Sequence, residues 1–262
     1  MNTGTIDYTL DRGLAVLTIN QPARLNAMSF DMWASLPALV QRADEENDAR
    51  AIVLTGAGER AFCAGADISQ FDDKRSGVDA VATYEQAVSC AMRALVDARK
   101  PVIALISGIC FGGGLALALS CDIRLASSLA RFRVPAARLG LGYAFANVEA
   151  MVARIGLAAA ADVLLSARIF DAGEAQRIGL INKAWPEDQF LIESAAYLRM
   201  IAGNAPLTLQ ALKKSLSELT HPLSARDVAG ADALVARCFA SADYVEGQAA
   251  FKEKRDPQFS GR

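Results

Sequence analysis

KPVIALISGICFGGGLALALSCDIRLAS, residues 100–127, is the stretch on which the reading of the whole chain turns. No charge falls between Pro101 and Cys121, and about 20 apolar residues are enough to cross a bilayer as a helix. The glycines argue against a span. Gly108 and the run Gly112, Gly113, Gly114 would each cost roughly 1 kcal/mol inside a helix, and Val102 to Ile106 is an apolar run of strand length. The segment reads as a buried strand, a permissive loop and a buried helix.

The same pattern extends outward. Short apolar runs at 15–19, 51–55, 102–106, 123–126 and 180–184 have strand length and are separated by helix-compatible stretches, which is an α/β pattern. AIVLTG leads into a Gly/Ala-rich loop ending GADI, as PVIALISG leads into one ending GGG, so strand, permissive loop and helix occur twice. From about residue 189 the texture becomes amphipathic and helical, over 189–203, 207–219, 224–239 and 243–254, punctuated by Pro206, Pro222 and Pro257. These segments are rich in Ala, Leu and Val, and surplus apolar surface on terminal helices points to packing on another copy of the chain. The expected organisation is a core over 1–188 and a helical oligomerisation region over 189–262.

Composition narrows the function. The 262 residues carry 53% hydrophobic and 21% charged side chains, with 27 basic and 29 acidic residues interspersed and a net charge of -2. That is ample for a buried core and offers no electrostatic footprint for nucleic acid. Five cysteines without CxxC spacing and a single histidine, His221, make no zinc set. The N-terminal MNTGTIDYTLDRG lacks a basic and an apolar leader region. A cytoplasmic protein with reduced thiols, without metal and without membrane attachment, is expected.

Three segments in this order, QPARLNAMS at 21–29, GAGERAFCAGADI at 56–68 and the stretch at 100–127, resemble the enoyl-CoA hydratase/isomerase (crotonase) family. FDAGEAQRIGLINKAW at 170–185 and EGQAAFKEKRDPQF at 246–259 extend the resemblance over nearly the whole chain. It implies a superhelix of β-β-α turns with a C-terminal helical trimerisation region, a homotrimer or a hexamer built as a dimer of trimers, and an acyl-CoA thioester as ligand. Coenzyme A would enter as part of the substrate, with no separate cofactor. By resemblance the N–H groups of Ala66 and Gly113 form an oxyanion hole, and such donors are worth around 3 kcal/mol each in a transition state. Ala64, Asp67, Ile68 and Ser69 would line the CoA path. Gly114 begins a helix whose dipole favours negative charge. Arg24 would meet a CoA phosphate, as would Lys254 from a neighbouring subunit, and Phe251 would pack near the nucleotide. The bland readings remain beside these: GADI as a turn with Asp67 capping a helix, GGG as a tight connection, Arg24 and Lys254 as surface charges, Phe251 as helix core.

The chain departs from the family at two places. The glutamates of a typical hydratase, one just beyond the GGG triplet and one about twenty residues later, are here Ala116 and Ala136. Methyl groups move no protons, and each lost acid or base forfeits on the order of 100- to 10,000-fold. Replacements must come from nearby, and FRVPAARLGLGY and its continuation offer Arg138, Tyr143 and Glu149. Tyr143 and Glu149 are the candidate acid–base residues, against plainer roles as an aromatic wall and a solvated helix face. Arg138 is read as an ion-pair partner. Asp72, Asp73, Tyr84 and Glu85 lie in a stretch that walls the acyl pocket in relatives, Asp122 is read as an anchor of the next strand, and His221 as a surface or interface residue. Two readings stand: an acyl-CoA enzyme that stabilises a thioester enolate, and a catalytically silent acyl-CoA-binding member.

Overall fold

The computed structural model of the protein describes residues 4–70 and 78–262. The chain opens with an antiparallel hairpin of β1 (Thr5–Asp11) and β2 (Leu14–Asn20). Its two-residue turn holds Arg12 and Gly13 at φ 48° and 80°, the left-handed pair whose twist matches the strands. After α1 (Phe30–Glu45) the chain builds in turns that each place one strand in each of two sheets. β3 (Ala51–Gly56) and β4 (Ala61–Cys63) precede α2 (Val78–Asp97). β5 (Val102–Ile106) and β6 (Ile109–Phe111) precede α3 (Gly113–Leu119). β7 (Ile123–Ser127) and β8 (Arg131–Arg133) precede α4 (Ala136–Leu139) and α5 (Phe145–Ser166). β9 (Phe170–Asp171), α6 (Ala172–Arg177) and β10 (Lys183–Trp185) complete the two sheets.

The larger sheet runs β1-β2-β3-β5-β7-β10, parallel from β2 onward, and the smaller β4-β6-β8-β9. This is the repeated β-β-α architecture that the sequence led us to expect. Period-two alternation in β3 explains its two-sided burial. Ile52 and Leu54 enter the main core with Trp33 and Leu36 of α1, Leu95 of α2, Leu115 and Leu117 of α3, and Phe62 and Phe132 of the smaller sheet. Ala51 and Val53 face the other way, with Ile103 and Leu125, against Leu198 and Ile201 of α7 (Glu187–Ala202). The charge-free stretch that imitated a membrane span is divided among β5, β6 and α3, and no helix among the described residues is long and apolar enough to cross a membrane.

The C-terminal region is helical: α7, α8 (Pro206–Glu218), α9 (Val228–Phe239) and α10 (Ala242–Glu253). Two expectations shift. The strand expected over 180–184 forms as Lys183–Trp185, because the amides of Leu180 and Ile181 close the end of α6 by donating to Ala175 O. The helix expected from 224 begins at Val228, where Asp227 accepts from Gly230 N at 2.9 Å and supplies the cap.

Candidate active site

Two loops converge where β4 and β6 end. The first, after β4, is stitched to the segment ahead of α1: Met28 N donates to Gly65 O at 2.7 Å, Asp67 N to Met28 O at 2.9 Å and Ala64 N to Leu25 O at 3.0 Å. Met28 and Ala66 form a parallel bridge. In such a bridge the flanking peptides make the bonds, so the Ala66 N–H points away from Met28. The second loop turns through Gly112, whose φ of 51° and ψ of -117° are open only to glycine, and leads straight into α3. Gly112 N is held by Arg133 O at 2.9 Å.

Gly113 and Ala66 face each other. A methyl group on Gly113 would stand 3.6 Å from Ala66 N, and one on Gly65 would stand 3.3 Å from Gly113 N. Neither amide has an acceptor among the described residues. Gly114 lies so close to β4 that any side chain there would overlap the carbonyl oxygen of Cys63. The Cys63 thiol accepts from Gly65 N at 3.3 Å, and burial pushes its pKa up to about 12, so it is an inert packing group beneath the loop.

A family model described as enoyl-CoA hydratase/isomerase matches residues 9–262. The chain belongs to this family. It is 32% identical over 242 residues to the short-chain-enoyl-CoA hydratase of Clostridium acetobutylicum, covering 92% of each protein. To the crotonyl-CoA hydratase of Syntrophomonas wolfei it is 32% identical over 247 residues, covering 94% of each. The crystal structure of an enoyl-CoA hydratase/carnithine racemase from Magnetospirillum magneticum superimposes with a TM-score of 0.91 at 33% identity, covering 98% of this chain and 96% of that one. Family membership makes the protein an acyl-CoA enzyme of the hydratase/isomerase type and leaves its reaction open.

Against that family background, the residues picked out in the sequence fall into groups. Ala116 is buried in α3 and Ala136 is half-buried at the start of α4, packed on the main core. Tyr143, in the loop before α5, packs against the same core; its hydroxyl is buried without a hydrogen-bond partner among the described residues. Burial, and then proximity to Cys110, push the phenol up to about 12, so it is neutral and can only donate or accept a hydrogen bond at ordinary pH. Glu149 is exposed on α5, and among the described residues neither it nor the exposed Arg138 has an ion-pair partner. Asp72 and Asp73 lie outside the described residues. Tyr84 is buried and its hydroxyl accepts from Trp33 Nε1 at 3.1 Å, while Glu85 is exposed.

Arg24, Asp67 and Ser69 form one cluster. Arg24 Nη1 reaches Asp67 Oδ1 and Oδ2 at 2.8 and 2.7 Å and also donates to Ser69 Oγ. Burial pushes the Asp67 carboxyl up, but the Ser69 hydroxyl and amide and the Arg24 guanidinium outweigh it and hold it below its ordinary value. Asp67 also accepts from Ser69 N at 3.1 Å, so it caps the turn of 3-10 helix Ile68–Gln70. The capping role of Asp67 is therefore present in the structure. Arg24 keeps Nε and Nη2 without an acceptor among the described residues, and Ile68 beside it is 70% exposed. Phe251 and Lys254 are exposed on the far C-terminal helix. Phe251 lines a groove of about 660 Å³ with Leu212, Phe239 and Tyr244, and among the described residues no hydrogen bond or ion pair ties Lys254 to either loop.

Asp122 accepts from Val102 N at 2.7 Å and pairs with Lys213 Nζ at 2.8 Å. With Asp122 N also donating to Val102 O at 2.8 Å, the residue ties the start of β7, the next strand, to the start of β5. His221 is half-exposed beside Glu218, between α8 and α9. Two residues of the site went unassigned in the sequence. Asn26 is buried at φ 56°, a left-handed value that asparagine tolerates. It donates to Ala57 O and Ala61 O at 2.9 and 2.6 Å and accepts from Gln21 N at 3.0 Å, fixing the approach to β4. Its position inside QPARLNAMS was the available signal. Trp33, one of two tryptophans, sits behind Gly113 and had no local signal.

Proposed function

We propose that the protein binds an acyl-CoA thioester with its carbonyl oxygen between the amides of Ala66 and Gly113, and stabilises the enolate that forms there. The observation that carries this reading is the pair of neighbouring amide nitrogens, neither with an acceptor among the described residues. Backbone donors shielded from water are rarely left unpaired, so two half-buried ones lying this close together favour an incoming oxygen. Negative charge developing on that oxygen is stabilised by about 3 kcal/mol per donor. Ala64, Asp67, Ile68 and Ser69 then border the CoA path, and the open Nε and Nη2 of Arg24 suit a phosphate. CoA arrives with the substrate and no further cofactor is invoked.

With Ala116 and Ala136 in the glutamate positions, proton transfer falls in this reading to Tyr143, whose buried hydroxyl has no partner among the described residues. Glu149, exposed on α5, is the other candidate acid–base residue. The alternative of a silent acyl-CoA binder is favoured by those same two alanines. Residues 189–262 act in this reading as the oligomerisation region of a homotrimer, or of a hexamer as a dimer of trimers. Phe251 and Lys254 would then reach the CoA of a neighbouring copy. Five free cysteines suit a reducing, cytoplasmic setting.

Mass-spectrometric turnover of saturated, 2-enoyl, 3-enoyl and aryl-acyl CoA thioesters, with binding recorded in parallel, tests the proposal. A hydrated or double-bond-shifted product supports the enzyme, and binding without product supports the silent binder. Unchanged binding and turnover in a folded Gly113→Pro variant would remove the Gly113 donor from the account.

A further inference from the structure

α3 is held at both ends. Its amino end carries the Gly113 amide, and its carboxyl end is gripped by the side chain of Arg124, from β7. Nη1 of Arg124 donates to Cys121 O at 2.7 Å and Ala118 O at 3.4 Å, and Nε to Leu180 O at 2.7 Å. Arg124 is 5% exposed, and among the described residues no carboxylate lies within ion-pair distance of it. Asp122, two residues away, is engaged by Val102 N and Lys213 Nζ. Burial and then the like-charged Arg154 lower the guanidinium to about 10, so it stays charged at neutral pH.

Burying a cation without a counter-ion is strongly unfavourable, and packing β7 on α3 needs no charge. The arrangement recurs. Lys100 Nζ donates to Ala43 O at 3.0 Å and Glu46 O at 2.5 Å, at the end of α1. Lys213 Nζ donates to Leu95 O at 3.4 Å, near the end of α2, although Lys213 is also paired with Asp122. Cations at helix carboxyl ends cancel the negative pole and leave the positive pole at the amino end less offset. For α1 and α3 that amino end adjoins the two loops, through Met28 and through Gly113.

We propose that Arg124 is a positioning residue for the thioester site, clamping the carboxyl end of α3 and adding its charge to the positive potential at Gly113. The proposal rests on Ala66 and Gly113 being that site. α3 has seven residues and is about 10 Å long. A unit charge at that range, at an effective dielectric of about 20, changes an ionisation equilibrium about tenfold.

Acetoacetyl-CoA provides a readout that needs no turnover, because its 1,3-dicarbonyl group ionises to an enolate with its own ultraviolet band. With the full chain, the apparent pKa of the bound probe should fall below its value in solution. Arg124→Met should raise it again by about one pH unit, the same tenfold, while Arg124→Lys, which keeps the charge, should recover most of the loss. Arg124→Gln, which removes the charge but keeps an amide donor, should raise it in the same direction and keeps the test open if Arg124→Met does not fold. A wild-type protein that leaves the probe at its solution value would overturn the site assignment and this inference together. A wild-type shift that Arg124→Met leaves intact would overturn the inference alone. So would equal losses in Arg124→Met and Arg124→Lys, which would make Arg124 a mechanical clamp.

Discussion

Trp33 stands edge-on behind Gly113: its Cζ2 and Cη2 lie 3.3 and 3.5 Å from the place where a Cβ on Gly113 would sit. The indole is itself fixed, since its Nε1 donates to the buried Tyr84 hydroxyl. A Gly113→Ala methyl would therefore be trapped between an immovable ring and the Ala66 amide. Overpacking of this kind costs about 1–3 kcal/mol, which the fold can survive, but the space between the two amides cannot absorb it. We expect a folded protein with acyl-CoA affinity lowered at least tenfold, measured by calorimetry; affinity equal to wild type would mean that the thioester is bound elsewhere.

Gly114 makes a different prediction from its neighbour. Its missing side chain faces the Cys63 carbonyl, which is backbone and cannot step aside. Gly114→Ala should lower stability by about 3 kcal/mol or more, whereas Gly142→Ala, with nothing within 4 Å, should stay within about 0.5 kcal/mol. Denaturant unfolding of the two variants side by side checks this, and similar midpoints would contradict the close approach of α3 to β4.

These two glycines also mark how far the sequence could be read. The strands of the larger sheet were visible because runs such as AIVLTG alternate between two apolar environments over six residues. The smaller sheet was not, since β4, β6 and β8 have three residues each and β9 two, too few to show a period. The loops of the site stood out through glycine content. What fixes them did not: Asn26 acts across more than thirty residues of chain, and Trp33 reaches Gly113 only because α1 and α3 share a core. Arg124 carried no local signal, and its burial against the end of α3 is a purely tertiary fact.

Asp67 should make stability depend on pH. Its carboxyl is held low in the folded chain, below its value when unfolded. The stabilising contribution is therefore present above about pH 4, the ordinary carboxylate value, and is lost as pH falls through the folded pKa. Asp67→Asn should unfold at a lower temperature than wild type at neutral pH, with the difference shrinking in acid. Since Arg24 is half-exposed, salt should weaken part of the effect. A gap that is constant from pH 7 to about pH 3 would show that the charge is not what stabilises the loop.

Tyr143→Phe should separate stability from function. Removing a buried hydroxyl that lacks a partner relieves a penalty of about 1–3 kcal/mol, so the variant should be as stable as wild type or more so. If the hydroxyl transfers the proton, turnover should nevertheless drop about 100-fold or more. Because the phenol is raised to about 12, activity that depends on its proton should not decline up to about pH 10, near the ordinary tyrosine value. Full activity in Tyr143→Phe would return the residue to the role of an aromatic wall.

On α8, Leu212, Leu216 and Leu219 are spaced as one helical stripe, and all three are more than half exposed. The opposite side of the same helix is already committed, with Ala211 and Lys213 buried against the chain, so the stripe cannot be satisfied by a small rotation of α8. Leu212 continues into the groove lined by Val235, Phe239, Tyr244 and Phe251, making an apolar surface shared by three helices. Burying a leucine contributes about 1.5–3 kcal/mol, so a second copy of the chain covering this stripe would gain enough to hold an assembly at low concentration. Light scattering should give the mass of three or six chains for wild type and a smaller species for Leu216→Glu, which places a charge in the middle of the stripe without touching either loop of the site. A monomeric wild-type protein would overturn the assignment of residues 189–262 as the oligomerisation region, and it would also leave Phe251 and Lys254 without a neighbouring nucleotide to meet.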